Sequence, residues 1–174
     1  MHDLIYAFKI IVIGPGAVGK TSIINRFVKN EFALKYKLTI GTDFLTKTIE
    51  FKPNQKAKLQ IWDIGGQERF KFLRANFYEG ANGALLVFDL SREHTYEEIK
   101  KWLSEMYQIM DKKIPFLLIG NKSDLINEIG EIIDRKEIER FTKGEKSIYI
   151  ETSAKTGDNV ENAFIKLTHK MIKK

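Results

Sequence analysis

The stretch Phe8-Lys-Ile-Ile-Val-Ile-Gly-Pro-Gly-Ala-Val-Gly-Lys-Thr21 decides the fold, because a strand, a glycine-rich loop and a helix start follow one another in it. Ile23, Ile24 and Phe27 continue beyond it with the spacing of an amphipathic helix. The loop matches G-x-x-x-x-G-K-[ST] throughout. Glycines let such a loop wrap so that its N–H groups face phosphate oxygens, and the helix N-terminus adds positive potential. The stretch predicts a phosphate-binding loop, with a chance glycine turn as the alternative.

Two side chains at the end of this loop carry its chemistry. Lys20 can reach the β- and γ-phosphates of a nucleotide, and the Thr21 hydroxyl can ligate Mg²⁺. Pro15 has no backbone N–H, so one position of the loop cannot donate to phosphate.

Composition narrows the class of protein. The chain has 174 residues, 43% hydrophobic and 30% charged, with 29 Lys+Arg against 23 Asp+Glu and a net charge of +6. This length and apolar content predict a single domain over residues 1–174. The sequence has no cysteine, which excludes disulfides, thiolate metal sites and a cysteine nucleophile. No apolar run approaches the ~20 residues of a membrane span and no secretion signal is present, so we expect a cytoplasmic protein.

Short apolar runs alternate with longer amphipathic stretches along the chain. Runs that are apolar on both faces are typical of buried parallel strands, and apolar residues at intervals of three or four predict helices. Asp134, three residues before Glu137, predicts a helix start. The predicted strands cover residues 8–13, 84–88, 116–119 and 147–150, and two of the predicted helices cover 95–110 and 158–173.

One pair of strands departs from this alternation. Residues 43–51 and 57–63 are extended in character, and the joint 52–56 is too short for a helical crossover, so the two strands must be antiparallel neighbours. The prediction is an α/β fold: a mostly parallel six-stranded sheet with one antiparallel strand and about five helices on both faces. Ligands bind such sheets at the carboxyl ends of the strands.

A second motif, Asp63-Ile-Gly-Gly-Gln67, stands at the end of the strand that includes residues 59–62. Asp63 can hold Mg²⁺ through water, and Gly66 offers an N–H to a γ-phosphate with no side chain in the way. Gln67 has both a donor and an acceptor and can therefore orient an attacking water. A simple turn is the alternative for this motif taken alone.

Two further motifs follow the last two predicted strands. In Asn121-Lys-Ser-Asp124, the Asp124 carboxylate can accept hydrogen bonds from guanine N1–H and its exocyclic amine, a donor pair that adenine lacks. The stem of Lys122 can lie against the base. The backbone N–H groups of Thr152-Ser-Ala-Lys155 could meet the guanine carbonyl. A solvated turn and a helix cap are the respective alternatives.

Together and in this order, the four motifs resemble a small GTPase of the Ras superfamily, with its P-loop NTPase fold, and within it the Rab family most closely. The resemblance covers nearly the whole chain. One departure is the second motif, which is closer to the Arf pattern than to the Asp-Thr-Ala-Gly-Gln usual in Rab proteins. The Rab-like stretches are 40–44, 58–62, 67–70, 78–81 and 86–90.

The resemblance implies a role for each matching residue. Catalysis would involve Gln67, Lys20 and Thr39, and Mg²⁺ would be held by Thr21, Thr39 and Asp63. Phe32 would pack against the guanine and Tyr36 would cover the phosphates. The residues expected to contact GTP or GDP are Gly14, Gly16, Ala17, Val18, Gly19, Lys20, Thr21, Ser22, Phe32, Tyr36, Thr39, Gly66, Asn121, Lys122, Asp124, Ser153, Ala154 and Lys155.

The resemblance also implies partners. Effector, exchange-factor and GTPase-activating proteins would meet two switch segments, the first containing Thr39 and the second containing Gln67, with contacts at Phe44, Trp62 and Phe77. Ordinary partial burial of three aromatics explains these contact residues equally well. We expect a monomer that binds no nucleic acid. The chain has no cysteine for a lipid anchor, and its last lysines, at 166, 170, 173 and 174, allow at most a weak peripheral association with anionic membranes.

The expected activity is slow hydrolysis of GTP to GDP and phosphate, as a molecular switch in vesicle traffic or signalling. No arginine in the sequence can be assigned as a finger in cis, so strong acceleration would need a partner. The alternatives are a GTP-binding scaffold that scarcely hydrolyses, a nucleic-acid binder suggested by the pI of about 9.3, and a P-loop ATPase or kinase.

Overall fold

A six-stranded mixed sheet organises the molecule. The structure is a computed structural model that describes residues 4–173, with side chains from residue 5 onward. The strands lie in the order β2-β3-β1-β4-β5-β6. β2 and β3 are antiparallel and all other neighbours are parallel, which confirms the predicted fold class. The strands are β1 (Leu4–Ile13), β2 (Thr42–Lys52), β3 (Gln55–Ile64), β4 (Gly83–Asp89), β5 (Phe116–Asn121) and β6 (Ile148–Glu151).

Seven α-helical segments pack around this sheet within residues 4–173. The predicted helix over 95–110 is two segments separated at Glu98, and the one predicted over 158–173 begins at Val160. Asp134 caps a helix as expected, since its Oδ1 accepts from the Lys136 N–H at 2.9 Å. The segments are α1 (Lys20–Lys29), α2 (Lys71–Tyr78), α3 (Glu93–Glu97), α4 (Ile99–Ile109), the single turn α5 (Ile126–Ile129), α6 (Arg135–Gly144) and α7 (Val160–Ile172).

The β2–β3 hairpin is longer than the sequence predicts. Its strands extend to Lys52 and from Gln55, so only Pro53 and Asn54 form the turn rather than the whole of 52–56. Asn54 adopts a φ of 61°, in the left-handed region that asparagine tolerates better than most residues. The local turn chemistry therefore allows a tighter connection than the composition of the joint indicates.

The core has two layers, one on each face of the sheet. Alternate residues of β1 point to opposite faces, with Ile10 and Val12 in one layer and Ile11 and Ile13 in the other. Helices α1 and α7 cover the first layer, while α2, α3, α4 and α6 cover the second. Trp102 is 3% exposed and packs in the second layer.

Because β1, β3, β4, β5 and β6 run parallel, their carboxyl ends meet along one edge of the sheet. All four predicted motifs follow such an end. No helix within residues 4–173 has the length and apolar character needed to cross a membrane. Lys174, one of the four C-terminal lysines noted above, lies outside the described residues.

Candidate active site

A cleft of about 450 Å³ opens at this edge of the sheet. Loops that follow β1, β3, β5 and β6 line it, together with the segment 32–39 between α1 and β2. The structure thus brings together residues more than 130 positions apart. The predicted residues that line the cleft are Gly16, Ala17, Gly19, Lys20, Thr21, Ser22, Phe32, Tyr36, Thr39, Gly66, Gln67, Asn121, Lys122, Asp124, Ala154 and Lys155.

Four predicted residues lie behind this lining. Gly14 is buried, Val18 belongs to the first core layer, and Ser153 and Asp63 are buried beneath the residues that face the cleft. The cleft is also lined by residues that the sequence did not indicate, namely Asn25, Ala33, Leu34, Lys35, Lys37, Leu38 and Leu125. Five of these seven flank Tyr36, so proximity along the chain is the signal that could have identified them.

Two glycines of the phosphate loop are required by their surroundings. Gly14 has a φ of 144°, and a Cβ there would collide with the carbonyl group of Val87. Gly19 has a φ of 99°, and a Cβ there would meet the Asn121 side-chain amide. A side chain at either position would therefore displace the loop.

Lys20 folds back over the phosphate loop. Its Nζ donates to the carbonyl oxygens of Gly14 at 2.8 Å and Pro15 at 2.7 Å, and the side chain is 6% exposed. Burial lowers the pKa of Lys20 to about 8, although the nearby Asp63 carboxylate acts in the opposite direction. The ammonium group is therefore poorly solvated and gains from a negative ligand.

The three predicted metal ligands form one cluster of oxygens. Thr21 Oγ1 donates to Asp63 Oδ2 at 2.5 Å and lies 2.8 Å from Thr39 Oγ1. The other carboxylate oxygen, Asp63 Oδ1, is buried and has no hydrogen-bond partner among the described residues. Burial raises the pKa of Asp63, while the Thr21 hydrogen bond and Lys20 oppose the rise. Carboxylate and hydroxyl oxygens are ligands that Mg²⁺ prefers.

Gly66 lies directly on the phosphate loop. A Cβ at this position would stand 2.6 Å from both Lys20 Nζ and the Pro15 carbonyl carbon, so no side chain fits. The neighbouring Gly65 donates its N–H to the Gly41 carbonyl at 2.9 Å, which connects the segment around Gln67 to the segment that contains Thr39. The two predicted switch segments are thus in contact.

Asn121 connects several of the segments that border the cleft. Its Oδ1 accepts from Thr152 Oγ1 at 3.0 Å and from the Ala154 N–H at 3.3 Å, and its Nδ2 donates to the Val18 carbonyl at 2.9 Å. Asn121 therefore links the loops that follow β5 and β6 to the phosphate loop. The role of Asn121 in this structure is to hold these segments together by hydrogen bonds.

Asp124 stands beside Asn121 with one carboxylate oxygen already held. Ser153 Oγ donates to Asp124 Oδ1 at 2.6 Å, which fixes the orientation of the carboxylate. Lys122 adopts a φ of 66°, and its Nζ donates to the Ala17 carbonyl at 3.1 Å. The side chain thus crosses from the loop after β5 to the phosphate loop.

Sequence reasoning missed two residues that contact this region from behind, Asp89 and Arg92. Lys122 Nζ lies 2.7 Å from Asp89 Oδ2, and Arg92 Nη2 donates to the Ala17 carbonyl at 2.8 Å. The signal in the sequence was that Asp89, like Asp63, places a carboxylate at the carboxyl end of a strand.

The three predicted aromatic contacts form a continuous patch on β2, β3 and α2. The ring centres of Phe44 and Trp62 are 4.9 Å apart and stacked, and those of Trp62 and Phe77 are 6.0 Å apart. Phe44 is 45% exposed, so the patch is open to solvent on the β2 side.

Comparison with known proteins agrees with this geometry. The model of the Ras family matches residues 9–173. The chain is 45% identical to Ras-related protein YPT3 of Nicotiana plumbaginifolia over 159 residues, which cover 91% of this chain and 72% of that protein. It is 41% identical to Ras-related protein Rab-11C of Dictyostelium discoideum over 162 residues, or 93% and 71% of the two chains. The chain is 42% identical to Ras-related protein Rab11A of Lotus japonicus over 159 residues, which cover 91% of this chain and 69% of that protein.

The matched segment begins in β1, ends one residue after α7 and contains all four motifs that line the cleft. The identity to Rab proteins holds over more than nine-tenths of the chain. The chain therefore belongs to the Ras family and is a Rab-like small GTPase.

Proposed function

We propose that the cleft binds GTP and GDP together with Mg²⁺, and that the chain hydrolyses GTP slowly as a molecular switch in vesicle traffic. The observation that carries this proposal is the convergence of four separate motifs on one cleft. Lys20 and Thr21 stand at one end and Asp124 at the other, which suits a ligand with phosphates at one end and a base at the other.

The base would be guanine because of Asp124. The Ser153 hydroxyl occupies Oδ1, and the carboxylate keeps further acceptor capacity for the N1–H and the exocyclic amine of guanine. Adenine would leave these acceptors unpaired. Phe32 and Lys122 also line the cleft, and Phe32 and the stem of Lys122 would pack against the base. The backbone of Ala154 and Lys155 would meet the carbonyl of the base.

The metal would be held by Thr21 and Thr39, with Asp63 acting through water. The cluster fits Mg²⁺ because Thr21 already contacts both other side chains and Asp63 Oδ1 lacks a partner among the described residues. Mg²⁺ in such a site neutralises the negative charge that develops on the phosphate oxygens. Thr39 belongs to the segment that connects through Gly41 to Gly65, so its position is coupled to that of Gln67.

Hydrolysis would depend on Gln67, Lys20 and Gly66. Gln67 lines the cleft and would orient the attacking water, while Lys20 and the Gly66 N–H would stabilise charge on the γ-phosphate. Among the described residues, none of those that line the cleft is an arginine. The intrinsic rate would therefore be low, on the order of 10⁻⁴–10⁻³ s⁻¹, until a partner supplies an arginine.

Partners would contact the switch segments and the aromatic patch of Phe44, Trp62 and Phe77. Loss of the γ-phosphate would release Thr39 and Gly66, and effectors would distinguish the two states by that change. We infer a monomer that acts in the cytoplasm and makes at most weak peripheral contact with membranes.

The first experiment is chromatography of the nucleotide released from the denatured, purified protein, followed by phosphate release after loading with GTP and Mg²⁺. Bound GDP with slow phosphate release would support the switch. Bound GTP with no phosphate release would indicate a scaffold instead. The absence of any guanine nucleotide, before and after loading, would contradict the proposal.

A further inference from the structure

Behind the phosphate loop lies a charged cluster in which Asp89 and Arg92 have no part in the proposed function. Its centre is Asp89, which is fully buried at the end of β4. Asp89 Oδ2 accepts from Arg92 Nε at 2.9 Å and lies 2.7 Å from Lys122 Nζ, while Oδ1 accepts from the Ser91 N–H at 2.8 Å and Oγ at 2.6 Å. Burial would raise the pKa of Asp89, but the hydrogen bonds from Lys122, Ser91 and Arg92 outweigh it and lower the pKa. The carboxylate stays ionised and holds both cations.

Arg92 uses the rest of its guanidinium to hold the phosphate loop. Nη2 donates to the Ala17 carbonyl at 2.8 Å and contacts the Gly16 carbonyl at 3.3 Å. The base of the side chain is also fixed, because the Arg92 N–H donates to the Asp89 carbonyl and the Arg92 carbonyl accepts from Thr95. Arg92 thus reaches the loop from a rigid turn, 75 positions away along the chain.

These contacts determine where the loop N–H groups point. In a planar trans peptide the carbonyl and the N–H of the next residue point in opposite directions, and no cis peptide occurs in the described residues. The carbonyls of Gly16 and Ala17 are turned toward Arg92. The N–H groups of Ala17 and Val18 therefore point away from Arg92. Gly16 and Ala17 line the cleft and Arg92 does not, so these N–H groups face the phosphate side.

The conformation of Ala17 makes such support necessary. Its φ of 60° lies in the left-handed region, which is costly for a residue with a Cβ. Two cationic donors, Arg92 Nη2 and Lys122 Nζ, meet on its carbonyl. Lys20 holds the carbonyls before this point and Asn121 holds the Val18 carbonyl after it. Arg92 also contacts the Gly16 carbonyl, so every carbonyl oxygen from Gly14 to Val18 is held by a side-chain donor.

We propose that Arg92, held by Asp89, is a positioning residue for nucleotide binding, which presets the Ala17 and Val18 N–H groups for the phosphates. The role rests on the proposed function of the cleft. It predicts that Arg92 strengthens binding of the phosphate chain and leaves recognition of the base unchanged, because Asp124 and its partner Ser153 make no contact with Arg92 among the described hydrogen bonds.

The test compares the affinities of Arg92→Ala and wild-type protein for GDP, GMP and guanosine, measured by competition against a fluorescent guanine nucleotide. Arg92→Ala removes charge-assisted hydrogen bonds from a loop that adopts a strained conformation. We therefore expect GDP binding to weaken about tenfold. Guanosine affinity should stay within twofold of wild type. Arg92→Lys keeps the charge but not the forked geometry, and should recover part of the loss.

A matched control is Arg140→Ala, which removes the same charge and side chain from α6, where Arg140 Nε contacts only the local carbonyl of Lys136 among its described bonds. It should bind GDP like wild type. Unchanged GDP affinity in Arg92→Ala, or equal losses for GDP and guanosine, would overturn the positioning role. An equal loss in Arg140→Ala would do the same. Wild-type protein that binds none of the three ligands would overturn the proposed function itself. If Arg92→Ala does not fold, the same comparison is made with Arg92→Lys, for which GDP-specific weakening is again required.

Discussion

At the scale of single residues, the two ends of the cleft use different chemistry. The phosphate end combines a buried cation with oxygen ligands, whereas the base end relies on one oriented carboxylate, Asp124. Each end can therefore be impaired without damage to the other, and two substitutions separate base recognition from hydrolysis.

Asp124→Asn should erode the preference for GTP over ATP. The amide of asparagine has one acceptor oxygen and one NH₂ donor in place of two carboxylate oxygens. At least one hydrogen bond to guanine is therefore lost, and the NH₂ group would face an N–H donor of the base. We expect the ratio of GTP to ATP affinity to fall by at least tenfold in competition binding. Asp134→Asn, which keeps a capping residue at the start of α6, is the matched control and should leave the ratio unchanged. Undiminished guanine preference in Asp124→Asn would contradict the assignment.

Gln67→Leu should slow hydrolysis while nucleotide affinity is preserved. Leucine has a similar size but cannot orient a water, so single-turnover phosphate release should slow by at least tenfold. GTP affinity should remain within twofold. Gln108→Leu, on the exposed side of α4, is the control and should hydrolyse GTP at the wild-type rate. If Gln67→Leu also keeps that rate, Gln67 does not orient the water.

At the scale of elements, α2 is fastened to α4 by a buried ion pair. Arg74, 2% exposed, places Nε 2.8 Å from Glu105 Oε1 and Nη2 2.8 Å from Oε2. Its guanidinium lies 4.1 Å from the Trp102 ring centre, and the Tyr78 hydroxyl donates to Glu105 at 3.2 Å. Burial, followed by the Glu105 charge, raises the pKa of Tyr78, so this hydroxyl stays a donor. Helix α2, which follows the segment around Gln67, is thus held against α4.

Arg74→Ala should destabilise the fold, because buried Glu105 loses its main cation and keeps only the exposed Lys71, whose Nζ lies 3.9 Å from Glu105 Oε2. Removal of one partner of such a pair costs about 3–5 kcal/mol of unfolding free energy, measured by urea denaturation at saturating GDP. Replacement of both partners, as in Arg74→Met with Glu105→Leu, should recover most of the loss because no unpaired charge remains. A double variant as unstable as Arg74→Ala alone would show that packing, not charge, dominates at this site.

At the scale of the whole molecule, nucleotide binding is linked to protonation of Lys20. Burial lowers the pKa of this residue from 10.5 to about 8 in the folded protein without nucleotide. Between these two values the unfolded chain binds more protons than the folded chain, so this group makes the nucleotide-free protein more stable as the pH rises. Bound phosphates favour the charged ammonium and raise the pKa again.

GDP binding should therefore take up protons above pH 8 and scarcely any through Lys20 at pH 6.5. At pH 8.5, where a group with a pKa of about 8 is roughly one-quarter protonated, we expect an uptake of about three-quarters of a proton, and a GDP affinity that falls as the pH rises further. Calorimetry in two buffers of different ionisation enthalpy measures the uptake. Lys20→Met removes the titrating group and should show no such difference between the two pH values. Equal proton uptake by wild type at pH 6.5 and 8.5 would exclude the linkage.

Much of the fold and the cleft follows from local patterns in the sequence. The conformation of the loop from Gly14 to Thr21 can be predicted from its sequence. Glycine is needed at Gly14 and Gly19 because φ is positive there and the backbone passes close to Val87 and Asn121. The parallel strands are recognisable because burial on both faces requires uninterrupted apolar runs. Since parallel strands end at one edge, the order of the motifs places Asp63, Asn121 and Ser153 beside that loop.

Other features depend on the tertiary structure alone. Nothing near Arg92 in the sequence indicates that it reaches Ala17, and nothing near Arg74 marks it as buried, because charged residues on amphipathic segments usually face solvent. Their environments are set by partners 75 and 31 positions away, Ala17 and Glu105. The sequence by itself determined the elements, their order and the chemistry of the cleft, since these depend on residue type and spacing. Only the packing of the folded chain decided which buried charges hold the cleft in place, since an ion pair exists only where two distant segments meet.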